Sequence, residues 1–134
     1  GDGAFKVTID TAVSEYPILE WYPGDEYVDI AGIDLYPMGR CYGTQANAFL
    51  KAAELTGGTK PVMLSEYGSL PDPDRMDIEN LKWLGCIVWE GQYLTDEAGN
   101  YSEEYIDKEA LQRFYDSRLV ITLDELPKRN GRSQ

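Results

Sequence analysis

Carboxylates and aromatic side chains follow the apolar run of each of three predicted strands. They are Asp34 and Tyr36, Glu66 and Tyr67, and Trp89 and Glu90. Neighbouring parallel strands lie about 4.8 Å apart, so we expect their carboxyl ends to bring these side chains to one edge of a sheet. Aromatic rings can stack on the apolar face of a sugar ring, while carboxylates bind its hydroxyls or attack its anomeric carbon. The pattern therefore indicates a carbohydrate site.

Glu66 is the leading candidate for chemistry. It follows the apolar run Val62–Leu64, which lies between a proline and a glycine and is typical of a strand buried on both faces. In an α/β barrel the carboxyl ends of the strands carry the catalytic groups. Retaining glycoside hydrolysis uses two carboxyl groups about 5–5.5 Å apart, one as nucleophile and one as general acid/base. The alternative is that Glu66 is a solvated residue that opens a loop.

The aromatic candidates have structural alternatives as well. Tyr36 and Trp89 could be half-buried residues at strand ends, and Trp83 fits a core position better than a ligand contact. A pairing of Glu90 with Glu66 is also conceivable, although solvation in a loop explains Glu90 equally well.

The composition restricts the chemistry further. The chain has 134 residues, a formal net charge of -12 and no histidine. The negative charge argues against nucleic acid or an anionic membrane surface as partner. The lack of histidine excludes Ser-His and Cys-His nucleophilic catalysis and most zinc sites. We expect no metal and no cofactor. Acid–base chemistry must then depend on carboxylates, tyrosine or lysine. Cys41 and Cys86 do not form a metal-type pair, and their redox state is open.

Apolar periodicity predicts alternating strands and helices, the signature of a parallel α/β sheet. The predicted strands and helices are, in chain order, Tyr27–Tyr36, Gln45–Thr56, the apolar run Val62–Leu64, Trp83–Trp89 and 108–116. Thr44 and Asp107 are expected to cap the two helices, and Gly57 to end the first.

Other segments give weaker signals. Alternating apolar residues predict a strand over Ala4–Ile9, Tyr16–Leu19 is a further apolar piece, and 75–82 fits a short helix. Thr122–Glu125 matches a capping box, and the polar tail from Lys128 is expected to fray.

Three collinear segments resemble glycoside hydrolase family 26, the β-mannanases and their relatives. These segments are Trp21–Tyr36, Lys60–Gly68 and Phe114–Pro127. The family consists of retaining (β/α)8-barrel enzymes with catalytic glutamates on the fourth and seventh strands. The resemblance implies cleavage of β-1,4-mannan or a related β-linked polysaccharide, and such polymeric substrates imply a secreted, periplasmic or cell-surface protein. No run approaches the ~18 apolar residues of a membrane span, and the chain shows no signal peptide.

The resemblance also implies roles for individual residues. Glu66 would be the nucleophile at the end of strand seven, and Tyr36, after strand six, would hydrogen-bond its carboxylate. Asp34 would help to shape the same site, and Trp89 would be the sugar platform at the end of strand eight. We also place Tyr67, next to Glu66, among the substrate-binding residues.

The chain departs from the family in its first part. The acid/base glutamate belongs to a His-Glu motif on strand four, which this chain lacks, and a full barrel takes ~250 residues. Only fourteen residues separate Lys6 from Trp21, too few for a helix and strand five. We therefore predict the C-terminal half of a barrel, with an irregular part at 1–20, strands six to eight at 21–127 and a tail at 128–134.

A half-barrel leaves open sheet edges and an uncovered apolar face. We expect such a chain to self-associate, to bind a complementary half, or to be part of a longer polypeptide. Its acid/base would come from outside the chain. A second hypothesis is a non-catalytic carbohydrate-binding or assembly half-barrel, in which Trp89 and Tyr36 hold a glycan without cleaving it. The presence or absence of a second carboxylate near Glu66 discriminates the two. A flavodoxin-like domain is a third, but no glycine-rich phosphate loop supports it.

Overall fold

The computed structural model describes residues 6–10 and 22–126, which contain a four-stranded sheet. Its strands are β1 Lys6–Asp10, β2 Ile30–Leu35, β3 Val62–Tyr67 and β4 Cys86–Val88. The strands lie in the order β1-β2-β3-β4, and every neighbouring pair is parallel. The predicted parallel α/β architecture is therefore confirmed for this part of the chain.

Helices lie in the connections from β2 to β3 and from β3 to β4, as is usual between parallel strands. The helices are α1 Ala46–Leu55 between β2 and β3, α2 Pro73–Ile78 between β3 and β4, and α3 Lys108–Asp116 after β4. Single 3₁₀ turns occur at Gly91–Tyr93 and Leu123–Glu125. None of these described helices is long and apolar enough to cross a membrane.

The core lies between the sheet and α1. Alternate residues of β2, Ala31 and Ile33, point to the same side as Val62 and Leu64 of β3 and are almost fully buried. Ala52 of α1 packs onto them. The opposite face of β2 carries Asp34, close to the polar residues at the ends of the strands.

The start of α1 differs from its prediction. Gln45, not Thr44, precedes the first helical residue, with a left-handed φ of 57° and no side-chain capping bond. The hydroxyl of Thr44 donates instead to Glu79. The prediction of Thr44 as N-cap was wrong because its hydroxyl has a partner distant in sequence. Gly57 (φ 56°) follows the helix as predicted.

Strand β4 is shorter and more exposed than predicted. It covers only Cys86–Val88, and Leu84 and Ile87 are 56% and 54% exposed. In the described sheet β4 pairs with β3 alone, so one of its edges is open. Trp83 is 8% exposed in the core, as its structural alternative predicted, and its Nε1–H donates to the Thr44 carbonyl at 2.9 Å.

Strand β1 confirms the predicted N-terminal strand. It pairs with β2 from Lys6–Ile30 to Asp10–Asp34. The sheet thus has a fourth strand within the section predicted to be irregular. Tyr16–Leu19 and the tail from Lys128 lie outside the described residues.

Side-chain caps stabilise the start of α3 and the last 3₁₀ turn. Asp107 accepts a hydrogen bond from the Ala110 N–H at 2.7 Å and caps α3 as predicted. The Thr122 N–H donates to Glu125 Oε2 at 2.8 Å, and together with the bond from the Glu125 N–H to the Thr122 side chain this forms the predicted capping box.

Candidate active site

A bulge in β3 decides which residues reach the site. Ile33 pairs with Leu64, but the next residue, Asp34, pairs with Glu66, so Ser65 is an extra residue in β3. A bulge of this kind shifts the alternation of side chains between the two faces of a sheet. As a result Tyr67 joins Leu64 on the core face, and Glu66 lies on the opposite face.

Glu66 and Tyr36 form the centre of the site. The Tyr36 hydroxyl donates to Glu66 Oε2 at 2.5 Å, although thirty positions separate the two residues. Partial desolvation raises the pKa of Tyr36 well above its ordinary value, and the hydrogen bond to Glu66 and the charge of that carboxylate raise it further. The hydroxyl therefore remains a proton donor across the neutral range.

Asp34 supports the bulge next to Glu66. It is 8% exposed and accepts a hydrogen bond from the Ser65 hydroxyl at 2.6 Å. Since Asp34 and Glu66 are register partners, this bond fixes the extra residue directly beside the candidate nucleophile. Burial leaves Asp34 little surface for a ligand.

Trp89 lies at the same edge of the sheet. Its backbone N–H donates to the Tyr67 carbonyl at 2.9 Å, which extends the β3–β4 ladder by one residue. The side chain is 44% exposed and Tyr36 is 42% exposed, so both rings have surface available for a ligand. Glu90 is exposed at the start of the following 3₁₀ turn.

The structure corrects one predicted site residue. Tyr67 is fully buried; its hydroxyl donates to the Cys41 carbonyl at 3.2 Å and accepts from Gln45 Nε2 at 2.9 Å. Desolvation raises the pKa of Tyr67 accordingly. The prediction of Tyr67 as a substrate contact was wrong, because the bulge at Ser65 turns its ring into the core.

Two tyrosines at the site were not predicted. The ring of Tyr93 lies 5.2 Å from that of Tyr36 and 4.6 Å from that of Tyr105, measured between centroids. Both belong to the stretch between β4 and α3. One sequence signal could have identified these two tyrosines. They occur in the loop that follows a strand, and that strand ends in a predicted site residue.

The described residues offer no group of three or more Cys, Asp or Glu side chains that could hold a metal ion. Both cysteines are free thiols. Burial raises the pKa of Cys86 to about 12, which keeps that thiol protonated.

Comparison with known proteins agrees with this arrangement. Residues 10–125 match the sequence profile of Glycosyl hydrolase family 26. The chain belongs to this family. The resemblance seen in the three collinear segments is thereby confirmed, and the match begins inside β1 and extends to the last 3₁₀ turn.

Individual relatives of this family 26 chain are mannanases by name. It is 31% identical over 107 residues to a mannan endo-1,4-beta-mannosidase of Thermothelomyces thermophilus, covering 80% of this chain and 20% of that protein. Among solved structures, it matches a beta-mannanase from a symbiotic protist of the termite Reticulitermes speratus, complexed with gluco-manno-oligosaccharide. That match has a TM-score of 0.73 at 32% identity and covers 90% of this chain and 34% of the other.

A ruminal GH26 endo-beta-1,4-mannanase matches with a TM-score of 0.69 at 31% identity, over 81% of this chain and 23% of the other. The family 26 chain therefore spans a fifth or less of the length of the curated relatives it matches. It spans about a third or less of these two solved structures.

Proposed function

We propose that this chain supplies the nucleophile half of the active site of a retaining glycoside hydrolase that cleaves β-1,4-mannan or a related β-linked polysaccharide. The observation that carries the proposal is the hydrogen bond from Tyr36 to Glu66 at the carboxyl edge of a parallel sheet, in a family 26 chain. The mannanase names of its relatives support the substrate class.

Glu66 performs the first step. Its carboxylate oxygen attacks the anomeric carbon and forms a glycosyl ester, while the bond from that carbon to the leaving oxygen breaks. The leaving oxygen takes a proton from the general acid. In the second step the same group, now a base, takes a proton from water, whose oxygen attacks the anomeric carbon and releases Glu66.

Tyr36 keeps the nucleophile ready for attack. A hydroxyl that donates to a carboxylate stabilises its ionised form, which is the form that attacks. The raised pKa of Tyr36 ensures that the donated proton stays on the tyrosine. Trp89, nearly half exposed one strand further along the sheet, provides an apolar platform for a sugar ring.

The general acid comes from outside this chain. Asp34 is the register partner of Glu66, but it is almost buried and accepts a hydrogen bond from Ser65. A retaining enzyme needs its two carboxyl groups about 5–5.5 Å apart on either side of the scissile bond. Asp34 has too little exposed surface to reach the leaving oxygen of a bound sugar. A polymeric substrate also implies that the protein works outside the cytoplasm.

Covalent trapping tests the role of Glu66 without the second carboxylate. An activated 2-deoxy-2-fluoro-β-mannobioside carries a leaving group that departs without protonation, so only the nucleophile is needed for the first step. We expect mass spectrometry of peptides to find the sugar on Glu66. Glu66→Gln should remain unlabelled, and Glu90→Gln, which removes the exposed carboxylate at the end of the next strand, should label normally.

A sugar attached elsewhere would contradict the assignment of Glu66. The exposed rings of Tyr36 and Trp89 favour one other function, a carbohydrate-binding half-barrel without turnover. Binding of mannohexaose in calorimetry with no labelling at Glu66 would favour that function over hydrolysis.

A further inference from the structure

We propose that Tyr93 is a positioning residue for the nucleophile: its ring, seated on Gly68, holds the Tyr36 hydroxyl on Glu66. The inference rests on the function proposed above and extends it to the loop after β4. Tyr93 belongs to the 3₁₀ turn Gly91–Tyr93 at the start of that loop.

The contact between the two rings is direct. The centroids of Tyr36 and Tyr93 lie 5.2 Å apart with an interplanar angle of 39°. This separation falls within the range of attractive aromatic pairs. Tyr36 is 42% exposed at the end of a strand, so a neighbouring ring restricts the rotamers open to it. The rotamer observed is the one that places its hydroxyl 2.5 Å from Glu66.

Gly68 makes room for Tyr93. A Cβ at this position would lie 2.9 Å from Cε1 and 3.2 Å from Cδ1 of the Tyr93 ring, and 3.4 Å from the Tyr36 Cα. Any side chain here would push the ring away. The Gly68 N–H donates to the Leu35 carbonyl at 2.9 Å, which places this glycine against the backbone that leads into Tyr36. Glycine is therefore needed for close approach, two residues after the nucleophile.

The far side of Tyr93 is held as well. Its ring lies 4.6 Å from that of Tyr105, and the Tyr105 carbonyl accepts a hydrogen bond from the Ser69 hydroxyl at 3.2 Å. Ser69 is fully buried and its Oγ also accepts from the Cys41 N–H at 3.3 Å. The Tyr93 ring therefore packs between the rings of Tyr36 and Tyr105. Hydrogen bonds through Ser69 connect Tyr105 to the segments that follow β2 and β3.

The same loop has a second anchor. Arg40, in the segment after β2, donates from Nε to the Glu103 carbonyl at 2.8 Å. The turn that carries Tyr93 is closed by hydrogen bonds from the Leu94 and Thr95 N–H groups to the Gly91 carbonyl at 2.9 and 2.8 Å. These contacts fix the loop independently of any sugar, so the site is preorganised before a ligand arrives.

The test is the pH dependence of Glu66 labelling by the activated 2-deoxy-2-fluoro-β-mannobioside. The first step with this reagent requires only an ionised Glu66, so the acidic limb of the rate profile reports the pKa of the nucleophile. Loss of the Tyr36 hydrogen bond removes support for the ionised form, which moves this limb to higher pH. A merely structural effect would lower the amount of active protein and leave the limb in place.

We expect Tyr93→Ala to slow labelling at neutral pH about tenfold and to move the limb upwards, because a small misplacement near reacting groups is costly. Tyr93→Phe keeps the ring and should restore both the rate and the limb. Gly68→Ala should reproduce the effect of Tyr93→Ala and provides a second variant if Tyr93→Ala does not fold. Tyr27→Ala, which removes an exposed tyrosine before the opposite end of β2, is the control and should behave as the unmodified chain.

A double-mutant comparison separates a direct from an indirect role. If Tyr93 acts through Tyr36, then Tyr93→Ala has no further effect on the rate in the Tyr36→Phe background. Equal losses in both backgrounds, or an unchanged limb in folded Tyr93→Ala, would overturn the inference and leave the role of Glu66 standing. Failure of the unmodified chain to label at Glu66 would instead overturn the proposed function itself.

Discussion

The hydrogen bond between the Tyr36 phenol and the Glu66 carboxylate lies at the centre of the candidate site. A second pair with the same distance lies at the other end of β2, where the Tyr22 hydroxyl donates to Asp25 Oδ1 at 2.5 Å. That pair joins residues three positions apart in a surface turn. The Tyr36–Glu66 pair joins two strands at the edge that also carries Trp89. The two hydrogen bonds have the same length, but only the Tyr36–Glu66 bond lies among the other candidate site residues.

Removing the Tyr36 hydroxyl should weaken the nucleophile. Tyr36→Phe keeps the ring beside Tyr93 but deletes a hydrogen bond to a charged group, worth about 1.5–3 kcal/mol. We expect the rate of Glu66 labelling by the activated 2-deoxy-2-fluoro-β-mannobioside at neutral pH to fall roughly 10- to 100-fold, since each 1.4 kcal/mol is a factor of ten. The acidic limb of the labelling rate profile should move to higher pH, because the ionised carboxylate loses a donor.

Tyr22→Phe is the matched control, since it deletes the same kind of bond far from the site. Rates of Glu66 labelling over a pH series measure both variants. Equal losses in the two variants would assign the effect to folding and not to Glu66.

Sequence alone located the residues whose position follows from strand periodicity. Asp34, Tyr36, Glu66 and Trp89 all come after apolar runs, and the structure brings them to the same edge of the sheet. Tyr67 could not be placed in this way because the extra residue in β3 is visible only when β2 and β3 are paired.

At the scale of elements, local signals were sufficient where the partners are close in sequence. Asp107 caps α3 through Ala110, and Thr122 forms a capping box with Glu125. In both cases the partner lies three residues further along the chain, so the sequence shows it directly. Thr44 failed as a cap because Glu79, thirty-five positions away, takes its hydroxyl. Tyr93 was missed because its contact is also distant in sequence: its ring packs against Gly68, which lies in another loop.

The cap of α3 should make stability depend on pH. Asp107 accepts from the Ala110 N–H and the Tyr42 hydroxyl, both at 2.7 Å, and these bonds lower its pKa below the ordinary value. A pKa that is lower in the folded state stabilises the fold above the ordinary carboxyl pKa, and this contribution is lost as the pH falls through the folded-state value. Asp107→Ala should reduce the free energy of unfolding at neutral pH by about 1 kcal/mol.

Urea denaturation at pH 7 and at pH 3 measures this contribution. The difference between Asp107→Ala and the unmodified chain should shrink at the lower pH. Asp124→Asn, on the exposed 3₁₀ turn, is the control and should change stability by less than about 0.5 kcal/mol. An equal loss for Asp107→Ala at both pH values would show that the charge of Asp107 has no part in the cap.

At the scale of the whole molecule, the described sheet is open and leaves apolar side chains uncovered. Ile121 is 71% exposed and Leu123 is 83% exposed in the segment after α3, and Ile87 of β4 is 54% exposed. Exposed apolar groups and unpaired strand edges are both typical of association surfaces. Composition could not reveal this, because the hydrophobic fraction of 43% is ordinary for a globular domain.

We therefore expect the 134-residue chain on its own to self-associate, since burial of apolar surface contributes about 25 cal/mol per Å². Sedimentation velocity over a concentration series should show a mass above that of the monomer. The double substitution of Ile121→Glu with Leu123→Glu should shift the distribution towards monomer, because association would then bury two charges. Ile78→Glu, at an equally exposed position at the end of α2, should have little effect. A well-folded chain that stays strictly monomeric at every concentration would show that this surface needs no partner.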